Sequence, residues 1–295
     1  LGQLGVVPEL VDDFYYFPAS SCAADIMNAV MMPQIEYCTS AAVTGIKITG
    51  DRVCAVKTLN EEEIPADAVV LACGGLSYPQ LGGDMSLVYR AAELAGHNIV
   101  PPVPGLVGLK IADYSLSELS GMVLEDAELI WYFGGKKMRT GGILLFTHNG
   151  ISGPAVLDIS AAVARALSSG KAVKVKIKFF KELDAGSWDR ILLTGSVDNG
   201  KKSVASCLAE RLTRRCAELL LMLAGIPSDR TMSRLTAPER RLLTGLLGGM
   251  EKTVCDTEGW RKAMVTSGGV ELKEVNPETL ESRLVKGLFF AGEQL

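Results

Sequence analysis

The chain has 295 residues, 48% hydrophobic, 22% charged and only 6% aromatic, which excludes disordered and fibrous classes and provides core enough for about two domains. Thirty Lys and Arg stand against thirty-four Asp and Glu, so the net charge of −4 creates no global field for nucleic acid or an anionic membrane. Seven scattered cysteines without a Cys-x-x-Cys pair, and two histidines, His97 and His148, argue against zinc and a disulfide framework and for a reducing cytoplasm.

In chain order, Ser20-Ser21 followed by Asp25 predicts a helix start, with Pro33 ending the helix near Met32. Val43 to Ile48 and Val53 to Thr58 flank Thr49-Gly50-Asp51, a hairpin signal. Ala68 to Cys73 is an unalternated apolar run ending in Gly74-Gly75, the signature of a strand buried on both faces of a parallel sheet. Ser86 to Ala95, closed by Gly96, reads as the following helix. The proline-rich stretch Pro101 to Gly108 marks a boundary near residue 104. Strands are predicted over Ala127 to Phe133, Ile143 to Thr147 and Ala172 to Phe180, with turns at Gly134-Gly135 and Ser168-Ser169-Gly170. A helix opens at Gly153-Pro154, and Ser203 to Ala224 and Met232 to Met250 carry helical spacing, with Pro238 in a first turn. Gly287 to Glu293 repeats the motif of a short apolar strand tipped by a small residue and glycine.

The longest apolar runs, Ala68 to Cys73 and Leu219 to Ala224, fall far short of the roughly 20 residues that span a bilayer. Leu1 follows no Met and Leu295 follows directly on an apolar run, so the chain reads as an internal piece of a longer protein.

Two glycine-tipped strands are what a sheet needs when a large cofactor crosses its carboxyl ends, because glycine lets backbone amides approach a phosphate or a ring edge. A plain tight turn is the competing reading of each. The dinucleotide fingerprint Gly-x-Gly-x-x-Gly does not occur, so either the chain binds no dinucleotide or its first βαβ unit lies outside it.

Ala66-Asp67-Ala68-Val69-Val70-Leu71-Ala72-Cys73-Gly74-Gly75-Leu76-Ser77-Tyr78-Pro79 resembles the "ADALVLATGGLSYP" stretch of the bacterial BaiN-like, aminoacetone-oxidase-like family of FAD-dependent oxidoreductases. Phe146 to Leu157 resembles that family's "FTHxGISGPAxL", Val265 to Val270 its "VTAGGV", and Gly287 to Glu293 its "GLYFAGE". The order and spacing agree from about residue 10 to the end. The departures are Cys73 in place of threonine, Leu81 to Ser86 in place of "TGSTGDGY", and Pro104 to Leu109 in place of "PALVPL".

The resemblance implies an α/β fold: part of a discontinuous Rossmann-like FAD-binding domain (1–104 and 263–295) around an inserted domain (105–262) that is strand-rich and barrel-like over 105–180, then helical over 181–250. It implies FAD as cofactor, with Ala72, Gly74, Gly75, Thr266, Gly268, Gly269, Gly292 and Glu293 facing it, and NAD(P)H as an electron donor. The N-terminal βαβ unit and a C-terminal flavin segment are expected to be missing, and FAD retention by the chain alone is expected to be weak.

His148 and Tyr78 are the candidate catalytic side chains, as proton donor and substrate-side hydroxyl; the competing readings are a turn-holding loop histidine and a Tyr-Pro turn packed on the sheet. His97 is read as structural and Cys73 as an inert apolar filler. Lys174, Lys176 and Lys178 share one strand face, read as a solvated edge strand in preference to a nucleic-acid patch. No metal site is expected. The leading reading is a flavoenzyme that transfers hydride between a small organic molecule and flavin N5. Two others compete: a non-catalytic remnant that binds a ligand or protein, and an enzyme using nicotinamide alone.

Overall fold

The computed structural model describes residues 2–11, 15–80, 86–112 and 115–295; residues 81–85, where the resemblance departs, lie outside them. The strands are β1 (Pro8–Val11), β2 (Tyr15–Pro18), β3 (Val43–Thr49), β4 (Arg52–Thr58), β5 (Glu63–Pro65), β6 (Val69–Leu71), β7 (Ile99–Gly105), β8 (Leu109–Ile111), β9 (Val123–Phe133), β10 (Lys136–Phe146), β11 (Gly150–Ser152), β12 (Val173–Lys178), β13 (Met250–Thr257), β14 (Val265–Val270) and β15 (Leu288–Phe290). The α-helices are α1 (Ala23–Val30), α2 (Ser86–Leu94), α3 (Pro154–Ser168), α4 (Ala185–Asp198), α5 (Val204–Leu208), α6 (Arg214–Leu223) and α7 (Ala237–Leu247). Among the described residues no helix is long and apolar enough to cross a membrane.

Six strands close a barrel in the order β10-β11-β8-β13-β12-β9, with β9 pairing back onto β10. Its walls alternate as a half-buried strand must: Leu129, Trp131, Val175 and Ile177 point inward while Lys174 and Lys176 point out. Helix α3 opens on Pro154 after Gly153, whose φ of 92° suits glycine, and it buries Val156, Ile159 and Val163 in the same core. The helical part follows, each start fixed by a side chain that accepts an orphan amide: Asp184 from Ser187, Ser203 from Ser206, Thr213 from Cys216, and a Thr236–Glu239 capping box.

A second, smaller core joins Val69, Leu71, Ala92, Val270, Leu288 and Phe290. It sits beneath the parallel pair β6–β15, in which Leu288 faces Val69 and Phe290 faces Leu71. Beside it β14 pairs antiparallel with β7. The fold is therefore α/β, with a parallel pair assembled from sequence-distant segments and a barrel-plus-helix unit between them.

Several expectations need correction. Strand β9 begins at Val123, earlier than predicted, and the long strand β10 covers residues before Ile143. Ser203 to Ala224 is two helices, because Thr213 caps a fresh helix after Ala209 ends α5. Met250 begins β13: Gly249 takes φ of 144° after Gly248, and the backbone leaves helical geometry there. The proline-rich stretch carries a strand, β7, which among the described residues pairs with β14 alone, the edge setting in which proline is tolerated. The β12 lysines do not lie on an edge, since β12 is bonded to β13 on one side and β9 on the other.

Candidate active site at the tips of the parallel pair

The carboxyl ends of β6 and β15 lie side by side, so Ala72 to Gly75 and Ala291 to Glu293 form one shelf. Ala291 donates its amide to Leu71 O at 2.9 Å, extending the pairing past the last ladder residue. The Gln294 side chain, oriented to satisfy both groups, donates to Leu71 O (2.9 Å) and accepts from the Cys73 amide (2.7 Å). Buried Gln294 thereby clamps the two tips together.

Behind the shelf stands β14. Thr266 Oγ1 accepts the backbone N–H groups of Leu76 (2.7 Å) and Ser77 (3.2 Å), and lies 3.2 Å from Ser77 Oγ. The fit is tight. A Cβ on Gly75 would sit 2.6 Å from Thr266 Cβ and 2.7 Å from Glu293 Oε2, and one on Gly269 would sit 2.8 Å from the Gln294 carbonyl carbon. Gly74, Gly268, Gly269 and Gly292 take φ values of 79°, 108°, 141° and 80°, left-handed backbone that β-carbon-bearing residues adopt at a cost.

The two ends of the shelf differ in openness. Ala72, Cys73 and Gly292 are exposed, and a Cβ at Gly292 would meet no atom within 4 Å. Cys73 is thus an exposed thiol, not a buried filler. Below the shelf, Tyr89 is buried with its hydroxyl donating to Glu293 O at 3.4 Å; burial first, and Glu293 second, push its phenol up.

The structure thus gathers Ala72, Gly74, Gly75, Thr266, Gly268, Gly269, Gly292 and Glu293 around one shelf. Tyr78 follows the same turn, 39% exposed, with φ of 53° and its amide donated to Trp260 O. His148 stands elsewhere, on the β10–β11 turn, where Nδ1 meets Ser120 Oγ at 3.1 Å. His97 is buried and structural: Nε2 meets Ser282 Oγ at 2.8 Å, Nδ1 meets Glu274 Oε2 at 3.2 Å, and its ring packs edge-on against Phe290. Sequence reasoning missed Ser77, Gln294 and Arg165, whose guanidinium reaches Ser267 Oγ at 3.0 Å. Spacing gives no signal for any of them, because each acts through a partner more than a hundred residues away.

Residues 103–265 match the HI0933-like protein barrel and H2TH domain. The chain is 32% identical over 288 residues to the 3-dehydro-bile acid delta(4,6)-reductase of Clostridium scindens, covering 95% of this chain and 69% of that protein. The chain belongs to the BaiN-like, HI0933-like family of FAD-dependent oxidoreductases. Ribosomal RNA dihydrouridine synthases of Escherichia coli and Haemophilus influenzae are 32% and 31% identical over 249 and 247 residues, 84% and 83% of this chain. The chain spans 59% and 58% of their lengths, less than two thirds of each.

The shelf suits the family's flavin. Its outer backbone, at Ala72, Cys73 and Gly292, carries small or no side chains and stands open, while Glu293 supplies a carboxylate at the tip of β15. Among the described residues no group of three or more His, Cys, Asp or Glu side chains could hold a metal ion.

Proposed function

We propose that the chain forms the substrate side and part of the flavin side of an FAD-dependent oxidoreductase, in which 105–262 is an inserted domain between 1–104 and 263–295. The observation that carries this reading is the β6–β15 pairing, which builds one glycine-tipped shelf from segments more than two hundred residues apart. When bound, FAD supplies hydride transfer at its N5, with NAD(P)H as the electron donor. In this reading the backbone of Ala72, Gly74 and Gly292 would seat the cofactor, buried Gly75 would bring that backbone close against Thr266 and Glu293, and Glu293 would accept from the cofactor's hydroxyl groups. Thr266, Gly268 and Gly269 form the wall against which the ring lies. Gln294 and Thr266 hold the shelf rigid so that little reorganisation accompanies binding.

The names of the relatives suggest a substrate class. A Δ4,6-reductase of a 3-oxo steroid and a dihydrouridine synthase both saturate a carbon–carbon double bond conjugated to a carbonyl. We assign that class to this chain: hydride adds to the carbon remote from the carbonyl and a proton to the adjacent carbon. Tyr78, exposed beside the shelf, is the proposed proton donor; His148, bonded to Ser120 on the barrel, is the alternative.

The test is the visible spectrum of the full-length protein. Flavin bands that bleach anaerobically with NADPH or NADH, and return on adding a 3-oxo-4,6-diene steroid or a uridine-containing RNA, are the expected result. A colourless protein that added FAD does not restore would overturn the proposal.

A further inference from the structure

The outer wall of the barrel carries a feature that the shelf does not use. Lys174, Lys176 and Lys178 would protect an exposed edge, but β12 has neighbours on both sides and needs no such protection. In register, Arg139 and Lys176 flank Ile130 from opposite strands, and Lys137 flanks Tyr132 one pleat further on. Four exposed cations, Lys137 and Arg139 on β10 and Lys174 and Lys176 on β12, thus flank β9 from both sides, with the mostly buried Lys178 beyond them, although the chain as a whole is acidic. Two carboxylates oppose them: Glu128 meets Lys178 and Arg139, and Glu251 meets Lys174. Among the described residues Lys137 and Lys176 meet no carboxylate.

At the end of this row, across from Lys137, stands Tyr132, 66% exposed. Its strand end continues into a cleft of about 320 Å³ lined by Tyr132, Phe133, Arg165 and Lys171. Arg165 in turn bonds Ser267, the neighbour of Thr266 on the wall of the shelf. Arg165 thus ties this basic, aromatic-bearing surface to β14, the strand that carries Thr266.

We propose that this wall, from Lys176 past Tyr132 into the Arg165 cleft, is a docking surface for single-stranded RNA. Charge alone would suit any polyanion. An exposed aromatic amid cations adds a platform on which an unpaired base stacks, and a duplex keeps its bases from such a platform. The choice of RNA over DNA rests on the proposed reaction, in which an unsubstituted uracil carries the conjugated double bond; the surface itself does not depend on that reading. The proposal takes up the nucleic-acid reading of Lys174, Lys176 and Lys178, which the sequence ranks below a solvated edge strand.

The test is fluorescence anisotropy of a labelled 12-nucleotide, uridine-containing single-stranded RNA against the full-length protein over a salt series. Binding is expected to weaken as salt rises. The double variant Lys137→Glu with Lys176→Glu is expected to lose at least tenfold in affinity and to flatten the log–log salt slope by roughly 1.4, about 0.7 per lost phosphate contact. Tyr132→Ala is expected to lose on the order of tenfold with the slope unchanged, since stacking releases no counterion. Lys201→Glu, on the helical part, is expected to bind as the parent does. All these positions are exposed, and melting curves check that the variants fold; Lys137→Gln with Lys176→Gln replaces a pair that does not.

The docking surface is overturned if neither the lysine pair nor Tyr132→Ala weakens binding, or if Lys201→Glu weakens it as much. It is equally overturned if phosphatidylserine vesicles bind with the same variant dependence. Equal affinity for DNA of the same sequence overturns the choice of RNA. The assay reads binding and not reduction, so failure of the flavin reading and failure of this surface are separately visible.

Discussion

Thr266 Oγ1 accepts the amide of Leu76 at 2.7 Å across 190 residues of sequence, and the amide of Ser77 at 3.2 Å. One hydroxyl oxygen thus satisfies two backbone donors at the turn that follows β6, and Thr266 is itself buried. Thr266→Val keeps the shape and removes the acceptor, leaving both amides without it, at a cost of about 1–3 kcal/mol. Thr266→Ser keeps the oxygen and is expected to recover most of that loss. Urea unfolding of both variants checks the difference. The same ranking is expected for FAD affinity of the full-length protein, because the turn carries Gly74 and Gly75.

Glycine positions separate by what surrounds them. Gly269 takes φ of 141° and abuts the Gln294 backbone, so Gly269→Ala combines left-handed strain with a steric clash and is expected to destabilise by about 2–4 kcal/mol. Gly245 lies within helix α7, where a Cβ would meet nothing within 4 Å. Gly245→Ala is therefore expected to stabilise by roughly 0.5–1 kcal/mol. Opposite shifts of the unfolding midpoint are the expected outcome; a neutral Gly269→Ala would show that the β14–Gln294 contact is loose.

How much of this was readable beforehand follows from what a sequence pattern encodes. Leu71 and Phe290 end short apolar runs without polar alternation, each tipped by glycine, and that pattern belongs to strands covered on both faces. Their pairing was therefore legible, and the recurrence of family motifs supplied the order. Barrel closure was not. Lys174 and Lys176 alternate with Val175 whether a strand ends a sheet or sits within a ring, because periodicity reports one buried face and nothing about lateral neighbours. Likewise Arg165 and Gln294 act through tertiary partners that leave no local spacing. Cys73 was misjudged for the complementary reason: it follows buried Leu71, but the chain has by then left the sheet and the thiol faces solvent.

Glu128 is a buried carboxylate with Lys178 Nζ at 3.0 Å and Arg139 at 3.3 Å. Burial pushes its pKa up, but the two cations together outweigh that and hold it below the ordinary carboxylate value. Lys178→Met removes the better-buried partner while half-exposed Arg139 remains, so a loss of about 1–3 kcal/mol is expected near neutral pH, below the cost of a wholly unpaired buried charge. As pH falls, Glu128 in the variant, having lost the cation that holds its pKa down, is neutralised before the parent's, and the deficit against the parent is expected to shrink. Denaturant midpoints at pH 7 and pH 4 check both statements.

His97 gives the small core its own pH dependence. Ser282 Oγ accepts the amides of Leu284 and Val285, so its proton is free to go to His97 Nε2, which fixes the neutral tautomer with Nδ1–H donating to Glu274. Burial lowers the His97 pKa, and Glu274 offsets only part of that effect, leaving it below 6.5. A histidine depressed in the folded state binds its proton more readily when unfolded, so stability is full above pH 6.5 and falls as pH drops toward the folded value. Glu274 acts in the same direction at lower pH: burial would raise it, but the Asn98 bonds and His97 hold it below 4.5, and its contribution is lost as pH falls through that folded value. His97→Gln is expected to cost stability at pH 7 and to flatten the unfolding free energy just below pH 6.5, leaving the Glu274 limb at lower pH. Because the ring packs on Phe290 of β15, FAD affinity of the full-length protein is expected to follow the same acid limb in the parent and to lose it in the variant. An unchanged limb in His97→Gln would place the titrating group elsewhere.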